Sequence, residues 1–300
     1  MGENMKLLEQ TVKTILTTES MSWLAKPPFL RPWGKKADVL FAGPWVGDLV
    51  WELMGWQGFL RKLSKSYERV IVSCRPGHEF LYQDFTLEFV MHELRGLPDE
   101  ERLHNIENPE ELERVQSTIP SDVDHLKPHG LPSPQSQSFI PLGEPSEEKK
   151  YDILFTPVLQ DASGRGWGPD KWMYLIAILR SQGYRVGCIG DALRTYALKA
   201  DFTDLRGATL QQTIEHITSA NLVVGPANGT TAMAALCKTP HLVWCGQTPT
   251  RKKVDLSLRY ERTWNPFGAM VRVVEQDDWN PKVDQIVTHI DSFFQKSPER

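Results

Sequence analysis

Short apolar runs alternate along the chain with segments of helical periodicity. The apolar run Asp38–Ala42 ends at a Gly-Pro turn, and the segment from Gly47 to Leu63 then repeats leucine and tryptophan at spacings of three and four residues. A second apolar run, Val70–Ser73, completes a strand–helix–strand unit. Strands that alternate with helices predict a parallel sheet.

The second half repeats this alternation more clearly. The predicted strands are Asp152–Thr156, Tyr184–Ile189, Asn221–Val224 and His241–Trp244. The predicted helices are Pro169–Gln182, 209–219, Gly229–Leu236 and Pro281–Phe294. Residues 120–149 are rich in Pro, Ser, Gln and His, which is typical of a linker or a mobile loop.

This pattern predicts an α/β protein with two Rossmann-like domains, each built on a parallel sheet. We place the first domain at residues 1–119, the linker or loop at 120–149 and the second domain at 150–280. Residues 281–300 carry a last helix that is long enough to reach back to the first domain.

Composition narrows the function classes. The chain has 300 residues, 40% of them hydrophobic and 24% charged, with a net charge of −4. These values are those of an ordinary globular protein, and the basic footprint of a dedicated nucleic-acid coat is missing. No run approaches the roughly 20 apolar residues that span a bilayer. We therefore expect no transmembrane segment and a cytoplasmic location, or the host cytoplasm if the protein is viral. The scattered cysteines and histidines predict no metal site.

Two acidic residues follow the first predicted strand. Ligands bind at the carboxyl ends of strands in open parallel sheets, which directs attention to the loop that carries Asp48. Glu52 lies one helical turn further on the same helix face. Either carboxylate is suited to act as a general base on an acceptor hydroxyl. Acidic residues in a first turn also favour the helix dipole without any catalytic role, so both interpretations stay open.

Three loops of the second half are candidate anion sites. A Gly/Ser-rich loop carries Arg165, which can contact phosphate with two hydrogen bonds. Residues 228–231, Asn-Gly-Thr-Thr, lead from a strand into a helix whose N-terminus favours phosphate, although they also fit a simple helix cap. The loop after His241–Trp244 brings Gln247 and Thr248 next to three consecutive basic residues, which also suit a solvated turn.

Several of these segments together resemble a known family. In order, they are RGWG at 165–168, Gly190, DLRGATL at 204–210, VGPANG at 224–229 and LVWCG at 242–246. Over about residues 152–250 their order and spacing resemble the ADP-heptose:lipopolysaccharide heptosyltransferases, which have the two-domain glycosyltransferase-B fold. In the first half, Gly47-Asp48 resembles the family's Gly-Asp, whose Asp is the proposed catalytic base.

The resemblance implies an inverting glycosyltransferase that needs no obligatory metal or cofactor and uses a nucleotide-diphosphate sugar as co-substrate. Asp48 is then the base and Glu52 the second candidate. The implied donor-binding residues are Arg165, Gly190, Asn228, Gly229, Thr230, Thr231, Gln247 and Thr248. Four positions depart from the family pattern, with Ala227 for its acid, Asn228 for its Ser, Ala232 for its His and Arg165 for its Lys. These departures leave the donor sugar open.

The acceptor stays open as well. Trp45, Trp51, Trp56 and Arg61 are candidates for an aromatic and basic acceptor face. The acceptor would be a glycan or lipid-linked sugar, or alternatively a hydroxymethylated DNA base of the kind that some phage enzymes modify. A nucleotide-sugar 2-epimerase and a non-catalytic nucleotide-binding module share the same architecture and are the further alternatives.

Overall fold

Two parallel β-sheets organise the protein. The computed structural model describes residues 37–94, 108–128, 137–160, 166–246, 256–275 and 279–295. Within each sheet, every pair of neighbouring strands is parallel. The predicted α/β class with two parallel sheets is therefore confirmed. Within the ranges described, no helix has the length and apolar character needed to cross a membrane.

The first sheet has four strands in the order β3-β2-β1-β4. Its strands are β1 (Val39–Ala42), β2 (Arg69–Cys74), β3 (Glu88–Met91) and β4 (Asp124–Leu126). The inner strands β1 and β2 are apolar except for Arg69 and Ser73, because both of their faces are covered, which is typical of a parallel sheet.

Helix α1 connects β1 to β2 and changes its geometry along its length. It begins with Leu49–Trp51, continues through the π-helical segment Glu52–Trp56 and ends as Gln57–Ser64. Single π-helical turns of this kind are often found at functional sites. After β3, helix α2 (Pro109–Ser117) begins at Asn108, whose side chain accepts a hydrogen bond from the Glu111 amide.

The second sheet has six strands in the order β10-β9-β8-β5-β6-β7. Its strands are β5 (Tyr151–Phe155), β6 (Val186–Cys188), β7 (Thr203–Asp204), β8 (Ala220–Pro226), β9 (His241–Cys245) and β10 (Val271–Glu275). Its helices are α3 (Pro169–Ser181), α4 (Leu210–Thr218), α5 (Gly229–Leu236) and α7 (Val283–Phe294). Between β9 and β10, α6 consists of one α-helical turn, Leu256–Leu258, and the π-helical segment Arg259–Thr263.

The segment predicted to be a linker contains part of the first sheet. Strand β4 lies inside residues 120–149 and pairs with β1 from Leu40↔Asp124 to Ala42↔Leu126. The prediction missed this strand because it has only three residues and lies at the sheet edge, where little apolar sequence is needed.

The last helix packs on the second sheet. Val283, Ile286 and Ile290 are buried in the same apolar cluster as Trp167 and Trp172. The Trp167 indole also donates a hydrogen bond to the Pro281 carbonyl at 3.0 Å. The described part of α7 therefore packs against the second half of the protein. Its length had suggested that it reaches back to the first domain.

Replacing Ile286 by Ala tests this packing. Because Ile286 is fully buried, we expect the variant to lower the free energy of unfolding by about 2–5 kcal/mol. Thr288→Ala on the exposed face of the same helix is the matched control and should change it by less than about 0.5 kcal/mol. Urea unfolding measures both, and equal effects of the two substitutions would contradict the packing described here.

Candidate active site

The two halves of the protein meet where α1 begins beside the start of α5. Leu49, the first residue of α1, lies against Gly229, the first residue of α5. A Cβ atom at Gly229 would stand 3.1–3.2 Å from three carbon atoms of Leu49, so a glycine permits this close approach. The contact brings the carboxyl ends of β1 and β8 to one crevice, where ligands of open parallel sheets bind.

Asp48 lies at this crevice. It precedes Leu49 directly, it is exposed, and its carboxylate accepts a hydrogen bond from the Trp51 amide at 3.1 Å. Asp48 is thus the N-cap of α1, which is the structural role expected of an acidic residue at this position. An exposed carboxylate can accept further hydrogen bonds, so the cap leaves a catalytic role open.

Asn228 caps α5 on the opposite side of the crevice. Its Oδ1 atom accepts hydrogen bonds from the amides of Thr230 and Thr231, at 2.8 and 3.1 Å. The Thr231 hydroxyl in turn accepts one from the Asn228 amide. This capping box satisfies the helix from within, and fully buried Thr231 has no surface for a ligand. The Asn228 Nδ2 atom is buried and has no partner among the described residues, a donor for which a ligand acceptor would compensate.

A cation and three aromatic rings from α6 and α1 border the crevice. The Arg259 guanidinium lies 5.5 Å from the ring centroid of Trp51 and 4.7 Å from that of Trp264. Burial raises the pKa of the neighbouring Tyr260, and the negative charge of Asp48 adds to this increase. Arg259 therefore lies over the first turn of α1, which Asp48 caps, and Tyr260 follows it in the chain. Sequence reasoning missed both residues, since the run from 256 to 264 has no clear period and no recognised motif.

The carboxyl ends of β5, β6 and β8 converge at Thr156. A Cβ atom at Gly225 would clash with the Thr156 methyl group, and one at Gly190 would stand 3.3 Å from the Thr156 hydroxyl oxygen. Gly190 also has a φ of +129°, which favours glycine. The predicted candidate Gly190 thus shapes the turn after β6. Thr156 had no sequence signal beyond its place at the end of a strand.

Glu52 is a structural centre of the first half. Its side chain is fully buried and contacts three partners, the Arg75 guanidinium at 3.0 Å, the His78 Nδ1 atom at 2.8 Å and the Tyr82 hydroxyl at 2.8 Å. Burial alone would raise the pKa of Glu52, but His78, Arg75 and Tyr82 hold it below its ordinary value. A buried carboxylate with these partners does not reach an acceptor hydroxyl, which contradicts the prediction of Glu52 as a second candidate base.

The predicted acceptor face is mostly interior. Trp45 and Trp56 are buried and stack on each other with ring centroids 5.4 Å apart. Arg61 is also buried and binds both carboxylate oxygens of Asp84, at 2.6 and 2.9 Å. Trp51 is half-buried beneath Arg259. These residues pack the first half together and do not form an exposed aromatic and basic surface, which corrects that prediction.

Three predicted donor residues, Arg165, Gln247 and Thr248, lie outside the described residues. In the part of the chain that is described, no group of three His, Cys, Asp or Glu side chains is arranged to hold a metal ion.

Known structures share this architecture at low sequence identity. A glycosyl transferase family 9 protein from Veillonella parvula superposes with a TM-score of 0.54 and 10% identity, over 88% of this chain and 99% of its own. The ADP-heptose lps heptosyltransferase II of E. coli gives 0.50 and 14%, over 87% and 99%. TibC, a bacterial iron-containing dodecameric glycosyltransferase from enterotoxigenic E. coli H10407, gives 0.51 and 15%, over 87% and 77%.

These likenesses show a glycosyltransferase-B fold and confirm, at the level of fold, the resemblance that the sequence motifs carry. No protein-family model matches the sequence, and no curated protein is significantly similar to it.

Replacing Glu52 by Gln tests the buried centre. The variant leaves Arg75 and His78 without their carboxylate, so we expect the free energy of unfolding to fall by about 3–5 kcal/mol at neutral pH. Because the folded pKa of Glu52 lies below the ordinary value of 4.5, the contribution of the carboxylate is complete above that pH and is lost as the pH falls through the folded pKa.

The difference between wild type and Glu52→Gln should therefore narrow below pH 4.5, as measured by urea unfolding at a series of pH values. Glu68→Gln, at an exposed glutamate just before β2, is the matched control and should have little effect. A Glu52→Gln variant as stable as this control would refute the structural role.

Proposed function

We propose that the protein is a glycosyltransferase that moves a sugar from a nucleotide-diphosphate sugar to an acceptor hydroxyl, with Asp48 as the general base. The observation that supports the proposal is the contact of Leu49 with Gly229, which brings the start of α1, capped by the exposed Asp48, against the start of α5. A base for the acceptor and a helix end that favours anions thus face one crevice. The glycosyltransferase-B fold of the chain supports this assignment.

In the proposed reaction, the acceptor oxygen attacks the anomeric carbon of the donor while its proton passes to the Asp48 carboxylate. The bond between the anomeric carbon and the diphosphate oxygen breaks, and the nucleoside diphosphate leaves with the electron pair. Attack from the face opposite to the leaving group inverts the anomeric centre. The step requires a base and an anion site, and the proposal assigns no metal to it.

The departing diphosphate needs donors and positive charge at the α5 side of the crevice. The Asn228 Nδ2 atom supplies a donor that its capping role leaves unused, and Arg259 supplies a permanent charge over Trp51 in the first turn of α1. Arg165, Gln247 and Thr248 stay predicted contributors. Thr230 and Gly229 line the same turn, but the Thr230 amide is already bonded to Asn228.

One of the two candidate acceptor classes loses its support. Because Trp45, Trp56 and Arg61 are buried, the observation that had favoured a DNA acceptor is gone. A sugar hydroxyl of a glycan or lipid-linked saccharide is the acceptor that we propose.

Asp48→Asn tests the base. Asn is as good an N-cap as Asp, so the variant keeps the start of α1 while it removes the proton acceptor. We expect turnover to fall about 10²–10⁴-fold. The readout is release of nucleoside diphosphate from UDP-, ADP-, GDP- or dTDP-glucose, with water or an added saccharide as acceptor. Asp38→Asn, an exposed residue just before β1, is the matched control. Turnover of the Asp48 variant at the rate of this control would remove Asp48 from the mechanism.

Thermal-shift titration with UDP, GDP, ADP, CMP and dTDP tests the donor site. A ligand at 100 times its Kd should stabilise the protein by about 2.7 kcal/mol. Asn228→Asp keeps the capping oxygen but replaces the Nδ2 donor by a negative oxygen, so we expect at least about tenfold weaker binding, or 1.4 kcal/mol. Asn108→Asp makes the same change at the N-cap of α2 and should bind normally. Equal affinities of the two variants, or no shift with any nucleotide, would contradict the proposed donor site.

A further inference from the structure

The loop that carries Asp48 is tied to the buried carboxylate of Glu52 through one arginine. The Nη2 atom of Arg75 donates a hydrogen bond to the Gly47 carbonyl at 3.0 Å and another to Glu52 Oε2, also at 3.0 Å. Arg75 follows β2 directly, so the end of one central strand of the sheet holds the loop that follows the other. One atom thereby joins the residue before Asp48 to the interior of the first half.

Arg75 is itself held in place. Glu52 is fully buried and is fixed on its other sides by Tyr82 and His78. A carboxylate with these bonds orients the guanidinium that it binds, because charge-assisted hydrogen bonds are stronger and more directional than neutral ones. The Arg75 side chain keeps 25% of its surface exposed, so it reaches from this interior to the edge of the crevice.

The residue before Asp48 needs such an anchor. Gly47 has no side chain to restrict its backbone, and glycine loses more conformational freedom on folding than any other residue. A side chain is not tolerated there, since a Cβ atom would stand 2.7 Å from the Trp45 ring. The Arg75 hydrogen bond to its carbonyl replaces the restriction that a side chain would give.

We propose that Arg75, oriented by Glu52, is a positioning residue that sets the direction of the Asp48 carboxylate. This inference rests on the proposed role of Asp48 as base. The Glu52 amide also donates to the Asp48 carbonyl at 3.2 Å. Glu52 thus holds the carbonyl of Asp48 directly and that of Gly47 through Arg75, so the backbone is anchored on both sides of the Asp48 side chain. A displacement of about 1 Å at a catalytic group can cost about 10²-fold in rate, which makes the orientation of this carboxylate decisive.

The test is a double-mutant cycle of Arg75→Gln and Asp48→Asn. The readout is nucleoside-diphosphate release from the sugar nucleotide whose nucleotide binds in the thermal shift, with water as the acceptor. If Arg75 acts through Asp48, Arg75→Gln lowers kcat about 10–10²-fold with the donor KM unchanged. In the Asp48→Asn background the same substitution should then change kcat by less than about twofold.

Two further variants make the cycle decisive. Arg69→Gln removes an exposed arginine at the start of the same strand and should leave kcat unchanged. Arg75→Lys keeps a positive charge beside Glu52 and therefore folds even if Arg75→Gln does not. Its single ammonium replaces the planar fork, so we expect an intermediate kcat that is again non-additive with Asp48→Asn. Hydrogen exchange of the peptide 43–51 should be faster in both Arg75 variants and unchanged in Arg69→Gln.

The outcomes separate this inference from the proposed function. Equal losses from Arg75→Gln in both backgrounds, or unchanged exchange in peptide 43–51, would overturn the positioning role while Asp48 remains the base. Unchanged kcat in the Arg75 variants, with water as the acceptor, would overturn it too. If Asp48→Asn itself turns over normally, the base assignment fails and the positioning role fails with it.

Discussion

The contact between the first turns of α1 and α5 is the constraint on which the rest of the site depends. Leu49 packs closely on the start of α5, where Gly229 has no side chain and a Cβ atom would force Leu49 to shift. This approach puts the carboxyl ends of the two sheets at one crevice and lets apolar residues of both halves share one buried cluster. Asp48 gains its place from its neighbour in sequence, so a packing contact of an apolar side chain determines where the carboxylate stands.

Beneath this contact, the first half buries a charged side chain, which costs more free energy than burying an apolar one. An unpaired carboxylate at Glu52 would be strongly destabilising, and the protein compensates with partners drawn from residues 75–82. The π-helical segment of α1 begins at Glu52, where these partners meet. The second half has an apolar core instead, in which Trp167, Trp172 and Trp244 pack together with ring centroids 4.7–5.4 Å apart. Most tryptophans in the described ranges are thus packed in the interior.

Under the proposed function, Asn228 combines a structural role as helix cap with a role in donor binding. The capping box at Asn228 uses the side-chain oxygen and leaves the nitrogen without a partner among the described residues. The helix end is therefore already satisfied by the protein, and an anion there would depend on side-chain donors more than on free backbone amides. Arg259 is the cation that the proposal assigns to this purpose; it lies over the Trp51 and Trp264 rings and comes from α6, a segment that fits no recognised motif.

Periodicity by itself determined the elements with strong patterns, and α5 lies at Gly229–Leu236, where it was predicted. The rule that ligands bind at the carboxyl ends of parallel strands directed the search to the loops that carry Asp48 and Asn228. The pattern did not predict the short strands β3 and β4, because a strand at a sheet edge needs few apolar residues. Only the tertiary structure decided which polar and aromatic side chains are interior. Asp48 and Glu52 look alike in sequence, yet Glu52 is buried. The partners that stabilise its buried carboxylate lie 23–30 residues further along the chain. Arg61 likewise turns inward to Asp84. Burial of a charged group depends on distant partners, and local sequence carries no record of them.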